Sequence, residues 1–187
     1  MSLYHFTDTA RLPFILQSGT LKPGRNKIGG FPDPDFLWAT TQAVGDYTAS
    51  GTQAYRSGQT RLVRFTLQRK HFRPWPEITT DYPQWTPTHI ERLEHAAREL
   101  SNPADWFCRA EPLALSEVLE IETRSWRSGW VPLESRKVVR IEGMPGALAV
   151  TAAGRVFISR QVEIQNGTVA YEFWSAPAAD LRGNQAA

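Results

Sequence analysis

Beyond residue 110 the sequence offers strands and little else, whereas its helical patterns all fall before residue 102. Runs at Glu111–Leu115, Val118–Glu122, Lys137–Ile141, Arg155–Ile164 and Thr168–Trp174 read as strands, and Asn166-Gly167 between the last two is a hairpin signal. Helices gathered early and strands late predict an α+β fold and not a regular βαβ repeat. A chain of 187 residues is one ordinary domain, or one domain with a small appendage. Residues 1–135 are expected to form a domain, 136–175 a β-rich segment of the same globule, and 176–187 a flexible tail.

The first hundred residues alternate short elements with breakers. Ser2–Phe6 reads as a strand. A helix follows, capped by Thr7 or Asp8, with Leu12, Ile15 and Leu16 on one face and Gly19 as its stop. Pro13 fits badly inside that helix and argues for a later start. Lys22–Asp35 holds six Gly and Pro residues and reads as a long loop. Phe36–Thr40 reads as a strand, Thr41–Ser50 as a short helix weakened by Gly45, and Arg61–Gln68 as a strand in which Val63, Phe65 and Leu67 alternate with polar residues. Pro74–Pro87, with four prolines and two tryptophans, cannot be regular structure throughout. Thr88 and Glu91 then form a capping box before Ile90, Leu93, Ala97 and Leu100, and Asn102-Pro103 ends that helix.

Composition narrows the function classes. A single cysteine, Cys108, excludes an internal disulfide and a cysteine-built zinc site within one chain, and it reads as a small buried apolar residue. Basic residues number 21 against 19 acidic, a balance that argues for neither a nucleic-acid nor a membrane-surface partner by itself. No run approaches the roughly 18 apolar residues of a membrane span, and the N-terminus lacks the pattern of a signal peptide, so a cytoplasmic location is expected. Seven tryptophans are more than one core hides easily, which points to a cleft or interface for some of them.

The common catalytic signatures are absent: no phosphate-binding glycine loop, no His-Glu-x-x-His, no Gly-x-Ser-x-Gly. His89 and His95 are six residues apart and read as surface residues, not paired metal ligands. What the chain does carry is an ordered series. Leu3-Tyr4-His5-Phe6-Thr7 ends the first strand, and Gly19-Thr20-Leu21-Lys22-Pro23 follows the helix. Phe36-Leu37-Trp38-Ala39-Thr40-Thr41 leads to Tyr47, and Arg109-Ala110-Glu111-Pro112 lies far downstream.

This series resembles the ADP-ribosyltransferase fold, in the His-Tyr-Glu branch that includes diphtheria toxin and the poly(ADP-ribose) polymerases. Tyr4-His5-Phe6-Thr7 is similar to that branch's first motif, with Phe6 where glycine is common. Trp38 stands in the position of an aromatic on the second strand, Tyr47 matches the helical tyrosine, and Glu111 is the choice for the acid, although Glu117, Glu120 and Glu122 lie close by. The match is continuous over residues 3–50 and finds no motif after about residue 135. The resemblance implies a split β-sheet domain with a few short helices and a strand-rich C-terminal part. It further implies an enzyme that takes NAD as substrate, cleaves the nicotinamide–ribose bond and passes ADP-ribose to a macromolecular acceptor, protein or nucleic acid.

The residue types suit that chemistry. An oxocarbenium-like ribose calls for a nearby carboxylate, the role assigned to Glu111. Trp38 and Tyr47 would sandwich the cationic nicotinamide ring. His5, with Tyr4 and Thr7 beside it, would position the ribose on the adenosine side, and Arg25 or Lys27 in the long loop would reach the pyrophosphate. A second reading keeps the fold without catalysis and uses an aromatic-rich surface to capture a partner, with Trp75, Trp85, Trp106, Trp126, Trp130 and Trp174 as anchors. RNA 2′-phosphotransfer ranks last, since it needs several of Arg61, Arg64, Arg69 and Arg73 to converge on one phosphate. Residues 123–140 also interleave basic residues with Trp126 and Trp130, a pattern that reads either as a nucleic-acid surface or as a solvated loop.

Overall fold

The computed structural model describes residues 1–24, 30–45, 52–97, 100–164 and 168–178. The protein is mixed α+β, strand-rich, with few helices and open sheets. Its chain divides into two compact units, each assembled from non-contiguous segments. The first comprises Met1–Phe6, Thr20–Gly51 and Phe65–Glu120; the second comprises Thr7–Gly19, Thr52–Arg64 and Ile121–Ala187.

In the first unit the strands run in the order β5 (Arg73–Pro74), β6 (Trp106–Arg109), β3 (Leu37–Thr40), β1 (Ser2–Asp8, of which Ser2–Phe6 lie here) and β4 (Leu62–Gln68, from Phe65 onward). Strand β3 is antiparallel to both neighbours, with Tyr4 opposite Thr40 and Trp38 opposite Cys108. A separate antiparallel pair joins β2 (Thr20–Leu21) to β7 (Leu113–Ala114). The core is aromatic: Phe36, Trp75, Trp85 and Trp106 are buried together with Ile78 and Cys108, and Trp38 packs against them. Burial pushes the Cys108 thiol well above its ordinary pKa, so it is no nucleophile. Strand β4 forms where expected because its alternation is real: Val63, Phe65 and Leu67 are fully buried, while Arg64, Thr66 and Gln68 are only partly so.

The longest helix among the described residues, numbered α3 below, spans Pro87–Ala97 and begins before the expected capping box. The Thr86 carbonyl accepts from the His89 and Ile90 amides, and Pro87 occupies the first turn, where a missing N–H costs nothing. Thr88 is therefore inside the helix. Ile90, Leu93 and Ala97 face inward as the spacing predicts, but Leu100 lies past the end and is 47% exposed. The expected strand Glu111–Leu115 is displaced: the strand is Trp106–Arg109, a bend occupies Ala110 and Glu111, and only Leu113–Ala114 pair beyond it. Likewise, residues 41–45 form bends and no helix. The Thr41 amide and hydroxyl bond the carbonyl and carboxylate of Asp105 at 3.0 and 2.7 Å, and Gln42 bonds the same carboxylate at 2.8 Å. Those side-chain bonds compete with a helical backbone. The remainder of that expected helix, including Tyr47, lies outside the described residues.

The second unit contains helix α1 (Leu12–Ser18), the single turn α2 (Gln53–Arg56) and the first residues of β4. It also holds β8 (Glu120–Arg124, from Ile121), β9 (Val131–Pro132) and the four-stranded order β10 (Val139–Arg140), β11 (Ala147–Ala152), β12 (Arg155–Ile164), β13 (Thr168–Pro177). Helix α1 starts at Leu12 and not at a Thr7 or Asp8 cap. The Asp8 carboxylate accepts from the Ala10 and Arg11 amides at 3.0 and 3.1 Å and so builds a turn ahead of the helix. Pro13 then falls in its first turn. The β12–β13 hairpin is antiparallel along its whole length, from Arg155 opposite Pro177 to Ile164 opposite Thr168, while the turn signal at Asn166-Gly167 lies outside the described residues. The strand continues to Pro177, two residues into the segment expected as a tail. Expected strand Val118–Glu122 is shifted to β8, and Lys137–Ile141 is reduced to the two residues of β10. Strand β11, Ala-Leu-Ala-Val-Thr-Ala, was not foreseen, because alanine carries no strand signal of its own.

Candidate functional site

Within the first unit, a cavity of about 410 Å³ lies between the sheet and α3. Tyr4, His5 and Phe6 of β1, Trp38 and Thr40 of β3, and Trp106 of β6 line it from the sheet. Leu93, Ala96 and Ala97 line it from α3. The size suits a small ligand or one ring-bearing part of a larger one, and the wall is mostly apolar, as such sites usually are.

His5 is the group in this wall with the clearest chemistry. Its Nδ1 is 2.7 Å from the Trp38 carbonyl oxygen, which can only accept, so Nδ1 carries the hydrogen. Burial holds the imidazole pKa below the ordinary 6.5, against the smaller opposing effect of the Trp38 carbonyl. His5 is therefore neutral at pH 7, with Nε2 as an acceptor lone pair. The Phe65 ring, 5.9 Å away and tilted, supports the imidazole from one side.

Trp38 is held from several directions. Its Nε1 donates to the Asp35 carboxylate at 3.4 Å, and its ring meets Trp75 at 5.0 Å and Trp106 at 5.7 Å. Asp35 also accepts from the Phe36 amide at 2.8 Å, and burial raises its pKa despite these two bonds. The chain after Gly19 comes close to this carboxylate: a Cβ on Gly24 would collide with Asp35. Trp38 is thus an indole of fixed orientation with part of its surface on the cavity, and not a tryptophan sealed in the core.

The structure brings Tyr4, His5 and Trp38 to one cavity. It does not bring Glu111 there. Glu111 is exposed, its carbonyl accepts from Arg109 Nε at 2.8 Å, and it lines a separate depression of about 160 Å³ with Lys70, Arg73, Tyr82 and Arg109. The neighbouring acids are engaged elsewhere or exposed. Glu117 accepts from the Ala114 amide and approaches His71, Glu122 is ion-paired with Arg64, and Glu120 is exposed. No carboxylate is among the described residues that line the cavity. Thr7 does not line it either, and Tyr47, Arg25 and Lys27 lie outside the described residues.

Trp106, read from the sequence as a partner anchor, Thr40 of the second-strand motif and the Leu93–Ala97 face complete the site. The helical spacing of Leu93 and Ala97 marked an inward face, but not that part of this face borders a hollow. Each of the four arginines considered for phosphotransfer is engaged with a neighbour: Arg61 bonds Thr123, Arg64 pairs with Glu122, Arg69 lies over Phe107 and Arg73 pairs with Asp81. No group of three or more His, Cys, Asp or Glu among the described residues is placed to hold a metal ion. No protein-family model, curated protein or solved structure matches the chain.

Proposed function

We propose that the chain binds NAD through the His5–Trp38 cavity, as a protein similar to the ADP-ribosyltransferases, with one ring-bearing half of the dinucleotide in the cavity and its pyrophosphate outside. The observation that carries this reading is a histidine whose Nδ1 is held by the Trp38 carbonyl, which leaves Nε2 as the accepting nitrogen, beside an oriented indole on one apolar wall. A ribose hydroxyl donates well to such a nitrogen, and a flat cationic ring such as nicotinamide gains from an aromatic face. Transfer of ADP-ribose to a macromolecule remains part of the proposal, but its chemistry needs an acid near the ribose.

A specific observation favours the non-catalytic alternative: the described residues around the cavity include no carboxylate. Binding and turnover are therefore tested separately. NAD titrated against tryptophan emission should give a saturable change, weakened about tenfold or more by Trp38→Ala and by His5→Ala. No response to NAD, or equal responses from these variants, rejects the reading. Release of nicotinamide by the intact chain that is lost in Trp38→Ala supports catalysis at this cavity. Binding without any release with protein or nucleic-acid acceptors leaves a binding module.

A further inference from the structure

The second unit carries a cluster of arginine and tryptophan side chains that the NAD reading leaves unused. Trp126 sits in the turn after β8 and is 49% exposed. The Arg56 guanidinium lies 5.9 Å over its ring, and buried Tyr55 meets it edge-on at 5.5 Å. The Tyr55 hydroxyl in turn accepts from Arg124 Nε at 3.1 Å and donates to the Ser125 carbonyl at 3.3 Å. Arg124 also lies 5.1 Å over Trp130. On the same indole, Arg64 sits at 4.4 Å, its charge matched by Glu122. Exposed Arg127 adjoins Trp126 in the chain.

The charges of this cluster do not cancel. Glu122 neutralises Arg64, whereas none of Arg56, Arg124 or Arg127 is ion-paired among the described residues. Among the described residues, three guanidinium groups without an ion partner thus belong to this cluster: Arg56 lies over the half-exposed Trp126 indole, Arg124 bonds the buried Tyr55 that meets that indole edge-on, and Arg127 follows it in the chain. A purely structural arginine–tryptophan lattice would gain nothing from leaving its cations unmatched or its central ring open to water. An anionic polymer with flat, stackable groups meets both features at once.

We propose that this surface binds single-stranded nucleic acid, a base stacking on Trp126 while Arg56, Arg124 and Arg127 contact the flanking phosphates. Stacking on an aromatic residue tolerates any base, so sequence preference is weak. Duplex ends its advantage here, because paired bases do not offer their faces to an indole.

The test uses the full chain with a fluorescently labelled oligothymidylate, an oligouridylate and a duplex of equal length, measured by anisotropy at several salt concentrations. Single strands should bind more tightly than the duplex. With two to three phosphates contacted, log K should fall against log salt with a slope of about −1.4 to −2.1. Trp126→Ala should weaken binding about tenfold, and Arg127→Glu, at an exposed position, should both weaken it and flatten the salt slope by about 0.7. His5→Ala should leave oligonucleotide affinity unchanged, which separates this surface from the NAD cavity. No binding at low salt, affinity indifferent to salt, a preference for duplex, or equal capture of polyglutamate with Trp126→Ala silent would each overturn the proposal.

Discussion

At the scale of single residues, His5 shows how a side chain acquires a defined chemical state from its surroundings. Two neighbours decide it: the Trp38 carbonyl fixes which nitrogen carries hydrogen, and the packed surroundings disfavour the cation. Because its pKa is lower in the folded chain than in the unfolded one, the unfolded state takes up the proton first as pH falls. Stability is thus unaffected by this group above the ordinary value of 6.5 and is lost below it. His5→Asn has no such proton to bind. Its urea midpoint should therefore drop less than that of the parent chain between about pH 7.5 and about pH 5.5. Parallel declines in the two proteins would mean that His5 is not held neutral. Tyr4, His5 and Trp38 were legible as a set because strand-end motifs are short and local. Glu111 was not, since its position depends on where a strand far downstream begins, and the apolar run Trp106-Phe107-Cys108 starts that strand five residues earlier.

At the scale of elements, breakers decided more than periodicity did. Gly19 ends α1 with φ at 69°, and its amide bonds the carbonyls of Ile15 and Leu16. No heavy atom lies within 4 Å of where its Cβ would be, so alanine there meets no clash and pays only for the left-handed backbone. Gly19→Ala is expected to cost about 1 kcal/mol, read as a lower urea midpoint with unchanged slope. A neutral outcome would show that the chain relaxes out of that conformation. Pro13 was readable, since it signalled that α1 begins late, whereas Pro87, read as the end of an irregular stretch, opens the first turn of α3. Two things were hidden from local pattern. Asp105 draws Thr41 and Gln42 out of a helix from 64 and 63 residues away, and β11 is a strand because β10 and β12 flank it, not because alanine prefers one.

At the scale of the whole molecule, the decisive property is that each unit is stitched from three stretches of chain. Composition and periodicity act over ten or twenty residues and do not reveal such interleaving. Interleaving has a consequence for folding. A chain cut after Glu120 puts β9 to β13 in a fragment that lacks residues 7–19 and 52–64. That fragment loses α1, which packs against β11, and Arg64, the partner of buried Glu122; it also loses Tyr55, which anchors Trp126 and Arg124. An unpaired buried carboxylate alone costs about 3–5 kcal/mol, a large share of the stability of an ordinary domain. Fragment 121–187 should therefore show no cooperative urea transition by circular dichroism, and fragment 1–120, left with the orphaned stretches of the second unit, should unfold at a lower midpoint than the intact chain. Mixing or co-expressing the two should restore the intact chain's transition, because every stretch of both units is then present. A sharp transition in isolated 121–187 would show that its strands make a self-sufficient core, and that the segments from residues 7–19 and 52–64 only decorate it.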